Sequence, residues 1–133
     1  MPRQCIADLA REFENGELEP DRFRHADHVR VAWALLKHYE FFDALTRLRA
    51  GLKSLADRAG RPAAYHETIT LAFLAMVYER LSKNIGADWE TFALANADLL
   101  DKEALRARYS APRLSSPEAR RGFLLPDLSG VPG

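Results

Sequence analysis

Cysteine is almost absent from the sequence: Cys5 stands alone, which excludes a disulfide within one chain and any metal cluster built from cysteines. Its expected role is packing on the first helix. Charge of one sign is also lacking, since 19 basic residues balance 19 acidic ones. No stretch interleaves Lys and Arg with aromatics in the manner of a nucleic-acid groove, so no nucleic-acid partner is expected. Long apolar runs are missing too. The run from Ile69 to Tyr78 is too short to span a bilayer, and the opening MPRQCIADLAREFENGE turns charged too early for a secretory signal. A soluble, cytoplasmic protein with no membrane partner is the expectation. A glycine-rich phosphate loop, a GxSxG elbow and a cysteine nucleophile are all absent, which argues against nucleotide cofactors and serine-hydrolase chemistry.

What is present is helical period. The 133 residues fit one domain, and 47% hydrophobic composition is enough for a core. Ile6, Leu9, Ala10 and Phe13 recur at helical spacing before an Asn15-Gly16 stop. After Pro20, Asp27 can cap a second helix whose apolar face is Val29, Ala32, Trp33 and Leu36. A third runs through FFDALTRLRAGLKSLADRAG, with Gly60 suited to its carboxyl cap. Pro62 is acceptable in the first turn of a fourth helix reaching Asn84, and this one is apolar nearly all round, as a central helix is. Asp88, Asp101 and Ser116 each mark a further start, and FLLPDLSGVPG reads as an extended tail anchored by Phe123, Leu124 and Leu125. No strand pattern or repeat appears. The expected fold is all-α, a single-domain irregular or orthogonal bundle of about five to six helices over residues 1–133.

Two polar clusters stand at helix starts. FRHADHVR places His25 and His28 three residues apart, hence on one helix face with Cβ atoms about 5–6 Å apart. YHETIT opens the apolar fourth helix with Tyr65, His66, Glu67, Thr68 and Thr70, polar groups that are costly to bury without partners. If the two starts meet, His25, His28 and His66 supply three nitrogen donors and Glu67 a carboxylate, the ligand set of a zinc or iron site with an open position. A metal-free version makes Glu67 a proton shuttle with its pKa raised by an apolar pocket, while Tyr65 and Thr70 orient a substrate. Arg30, Arg120 and Tyr109 are candidate substrate-binding residues, with Arg113, Arg121 and Ser115 nearby in an anion-binding wall if the tail folds over the helix starts. HADH lacks the HExxH spacing of metalloproteases.

Each residue also has a structural reading. His25 can satisfy a loop carbonyl, and His66 with Glu67 can form a network with Arg30 or Arg120. Thr70 can bond back to the carbonyl of His66, and Tyr65 and Tyr109 can serve as packing residues with satisfied hydroxyls. His38, roughly 15 Å along the second helix from His28, reads as a surface residue.

FRHADHVRVAW, YHETITLAF and RYSAPRLSSPEARRGFLLPD resemble the recurrent motifs of a family of small all-helical bacterial hypothetical proteins, over most of the chain from Phe23 to Asp127. The matching positions are His25, His28, Arg30, Trp33, Tyr65, His66, Glu67, Thr68, Thr70, Tyr109, Ser115, Arg120 and the Pro126-Asp127 pair. The resemblance implies a shared polar site and attaches no activity to it. Two functions follow from these residues. One is a small metal-dependent enzyme acting on a small polar metabolite through a His/His/His/Glu pocket, with a divalent zinc or iron ion. The other is a non-catalytic module that binds a small molecule or a partner chain, a homodimer included, while the polar cluster is structural.

Overall fold

The apolar spacing of Leu9, Ala10 and Phe13 becomes the buried face of α1 (Ile6–Glu14), which ends where Gly16 adopts a φ of 71°. Only glycine enters that left-handed region without strain. These features belong to a computed structural model that describes residues 6–128, so Cys5 lies outside the described residues. No strand occurs among them, and the architecture is the expected all-α one.

Helix α2 (His25–His38) begins two residues before the expected cap. Arg24 is the extended residue at its threshold, and the carboxylate of Asp27, three residues on, accepts the Arg24 backbone N–H at 2.9 Å. Asp27 thus closes the helix start from inside, as the acidic member of a capping box does. Helix α3 (Phe41–Arg58) follows after a short break, and Gly60 lies just beyond it with a φ of 74°.

The fourth helix departs from the sequence expectation. Pro62–Ala64 form a separate 3₁₀ turn, Tyr65 and His66 are extended, and α4 (Glu67–Ser82) begins only at Glu67. Pro62 does open a helical turn, but the main helix takes its cap from a side chain: His66 Nδ1 accepts the backbone N–H of Ile69 at 3.1 Å. Beyond it, α4 is central, with Thr70, Phe73, Leu74 and Val77 buried and α2, α3 and later elements packed around it.

Asp88 caps α5 (Trp89–Ala95), and Asp101 caps a 3₁₀ turn at Lys102–Ala107 that follows another at Ala97–Leu100. Ser116 caps α7 (Pro117–Arg121) as the sequence suggested. Ser110 caps a further short helix, α6 (Ala111–Ser115), which the sequence did not reveal. Trp33 of α2 meets Trp89 and Phe92 of α5 at ring distances of 5.7 and 6.2 Å, closing the far end of the core. None of the described helices is long and apolar enough to cross a membrane.

Helix α1 docks on α3 through one close approach. Phe13 is 2% exposed, and its ring lies where a Cβ on Gly51 would stand. Phe13 is also stacked on Phe23 at 5.9 Å, so the ring is confined on two sides. Gly51→Ala gains helix propensity of about 1 kcal/mol, but overpacking a filled core costs about 1–3 kcal/mol. Net destabilisation is expected in urea unfolding, and adding Phe13→Leu should recover part of it.

Candidate functional site

The amino ends of α2 and α4 do meet. His25, His28, Tyr65, His66 and Thr70 line one cavity of about 380 Å³. Phe23, Leu52, Leu55, Ala56 and Ile69 form its apolar wall, with Arg24 and Arg61 also in the lining. Five of the residues singled out from the sequence are therefore brought together.

The imidazoles are differently engaged. His66 Nδ1 accepts a backbone N–H, which leaves its proton on Nε2, and Nε2 donates to the Leu114 carbonyl at 2.7 Å. Neither nitrogen is left over. His25 uses Nε2 against the Leu99 carbonyl at 3.0 Å, and its ring stands edge-on to Phe73 at 4.6 Å. His28 lies 5.8 Å from His25, ring to ring. Its Nε2 is enclosed and has no hydrogen-bond partner. Burial, and secondarily the neighbouring His25, push the His28 imidazole down to about 4.

Glu67 is oriented elsewhere. Arg49 grips both its oxygens, Nε to Oε1 at 2.5 Å and Nη2 to Oε2 at 2.9 Å, and the Tyr65 hydroxyl donates to Oε1 at 2.9 Å. The fork with Arg49 holds the carboxylate below its ordinary range. The expectation of a raised Glu67 pKa is thus corrected: the pocket it occupies is not apolar but faces a guanidinium. Burial pushes the Tyr65 phenol up to about 12, so it serves as a hydrogen-bond donor at neutral pH. Glu67 lines a second groove with Lys53, Arg120 and Arg121, and Tyr65 is the wall common to both.

The four expected metal ligands are accordingly divided between two grooves, and two of them already have their donor atoms engaged. Among the described residues, no group of three or more His, Cys, Asp or Glu converges as ligands would. Thr70 takes its structural reading, its hydroxyl donating to the His66 carbonyl at 2.8 Å.

The substrate-binding candidates also lie away from the cavity. Arg120 Nη1 donates to the carbonyls of Ala63, Ala64 and Tyr65 at 2.8, 3.2 and 3.2 Å, gathering the end of the 3₁₀ turn. Tyr109 is buried and its hydroxyl donates to the Leu124 carbonyl at 2.7 Å. Arg30 of α2 is half-buried and outside the cavity lining. Phe123 and Leu125 stay exposed, contrary to an anchoring role, because the tail is attached through its backbone. Thr68 does this twice, donating to the Gly122 carbonyl at 2.7 Å and accepting the Leu124 N–H at 3.1 Å. Arg113 Nε holds the Leu125 carbonyl at 2.7 Å, and Asp127 accepts from the Ser110 N–H and hydroxyl at 2.8 and 2.6 Å.

No family model, curated protein or solved structure matches this chain. The family resemblance therefore rests on its motifs alone. Sequence reasoning missed Arg24 and Arg61 as lining residues. Both stand just ahead of helical starts already under suspicion, one inside FRHADH and one in Gly60-Arg61-Pro62, and that adjacency was the signal.

Two outcomes are expected. Unfolded histidine titrates near about 6.5, so between that pH and about 4 the unfolded chain binds a proton that folded His28 refuses. The stability present above pH about 6.5 should fall as pH drops toward 4, by up to about 3 kcal/mol, and His28→Phe should flatten that slope in urea titrations at several pH values. Thr68→Val should lose about 1–3 kcal/mol by stranding two backbone groups, and limited proteolysis should then cut within residues 122–128 first.

Proposed function

We propose that this protein is a small-molecule-binding module, with the cavity at the amino ends of α2 and α4 as its ligand site and YHETIT as its scaffold. One contrast carries the reading. His66, Glu67, Thr68 and Thr70 spend their polar atoms on the protein itself, whereas His28 lines a cavity with an apolar wall and its enclosed Nε2 has no hydrogen-bond partner. A ligand can occupy that wall and satisfy polar groups at its edge, the ordinary composition of a small-molecule site.

The arrangement supports binding better than turnover. General acid–base chemistry needs a carboxylate or imidazole within reach of the reacting atom and free to exchange a proton. Glu67 is fixed by Arg49 in the neighbouring groove, and His66 is fixed by two backbone groups. Metal ligation forms no part of the reading, because those same two residues have their donor atoms committed. The cytoplasm is the compartment proposed, on the single cysteine of the sequence.

A neutral aromatic probe tests the site without presuming its natural ligand. Titration with indole should shift the backbone amide resonances around Leu52, Leu55 and Ile69, and Ala56→Trp, which fills the cavity, should abolish those shifts. Glu67→Gln should bind indole as the parent does. Unchanged resonances at millimolar indole, or loss of binding on Glu67→Gln in a folded protein, would defeat the proposal.

A further inference from the structure

The charge of the cavity lining is one-sided in a chain that is balanced overall. Basic and acidic residues are equal in number, yet Arg24 and Arg61 line the cavity and no Asp or Glu does. The acidic groups at the two helix starts are directed elsewhere: Asp27 closes the start of α2, and Glu67 faces Arg49 in the second groove. Arg24 and Arg61 are exposed residues, and no ion pair among the described residues occupies either guanidinium. They belong to separate segments, one before α2 and one before the Pro62–Ala64 turn, yet they reach the same cavity.

Behind these cations one wall of the cavity is apolar. Leu52, Leu55 and Ala56 come from α3, Ile69 from α4 and Phe23 from the approach to α2. Two exposed guanidiniums at an apolar cavity of about 380 Å³ select a particular kind of molecule. A neutral hydrocarbon would leave the arginines unused, and a cation would meet like charge without a counter-ion. A fully polar dianion would leave the apolar wall wet. A planar carboxylate suits guanidinium donors, which present paired N–H groups, while an attached chain or ring displaces water from the wall.

We infer that the cavity takes a small organic monocarboxylate, its acid group between Arg24 and Arg61 and its apolar body against Leu52, Leu55 and Ile69. The inference rests on the cavity being a ligand site and adds the class of ligand. It also gives the arginines a use that His28 cannot share at neutral pH, where its ring is uncharged. The cationic rim draws the anion in, and apolar burial holds it.

A matched series of probes separates the ligand class from the site itself. 4-Phenylbutyrate, its primary amide and 4-phenylbutylamine are titrated into the full chain by calorimetry and by amide NMR. The carboxylate should bind at least about 10-fold more tightly than the amide, equivalent to about 1.4 kcal/mol, and the amine should not bind. Arg24→Ala/Arg61→Ala should erase the preference for the carboxylate while leaving the amide affinity in place. Arg121→Ala, outside this cavity, should change nothing. Equal binding of carboxylate and amide, with no effect of the double arginine variant, overturns the ligand class and keeps the binding site. Silence from all three probes overturns both. Carboxylate binding that survives both Ala56→Trp and Ala59→Trp in folded protein places the anion elsewhere on the surface and also overturns the inference.

Discussion

The ring of His66 is the point on which the rest of the structure turns. It receives the N–H of Ile69 on one nitrogen and donates to the carbonyl of Leu114 on the other. The first bond begins α4, which has no other side-chain cap, and the second ties that beginning to a segment 48 residues further along. A histidine does both only as the tautomer with its proton on Nε2. An asparagine or serine could cap the helix but could not reach the distant carbonyl in the same way.

From that point the alternation of YHETIT sends its side chains to different tasks. Glu67 turns to Arg49 of α3, Thr68 to the tail, and Thr70 back onto His66. Tyr65 spans the partition between two grooves, with Lys53 over its ring at 5.2 Å and its hydroxyl on Glu67. Arg120 secures the turn just before them through three carbonyls. The cavity on one side of this partition inherits a fixed wall. Its apolar lining and enclosed His28 nitrogen follow from where the helix starts are held, not from any flexible loop.

Much of this was legible in the chain. Helical period located α1 to α4, and Asp88, Asp101 and Ser116 marked true caps because a short oxygen-bearing side chain before an apolar run has few other uses. The meeting of FRHADHVR with YHETIT was readable only as a condition, since a helix apolar on nearly all sides must lie beside partners but its pattern does not say which helix ends come together. What could not be read was the direction of each polar side chain. Spacing puts His66 and Glu67 next to each other, but His66 is extended ahead of α4 and Glu67 is its first helical residue, so their side chains diverge, and Arg49 on another helix decides which way the carboxylate goes. Tail docking was hidden for a similar reason. Phe123 and Leu125 advertise burial in the sequence, while the real attachment runs through main-chain groups that every residue possesses.

That mode of attachment has a consequence for how the protein can vary. Because residues 122–125 are held by their carbonyls and N–H groups, with the side chains of Phe123 and Leu125 facing water, those two positions are open to almost any substitution that keeps the backbone extended. Drift can therefore repaint this strip of surface, changing what it sticks to or repels, without loosening the bundle beneath. Thr68, Tyr109 and Arg113, the side chains that hold the strip, have no such latitude.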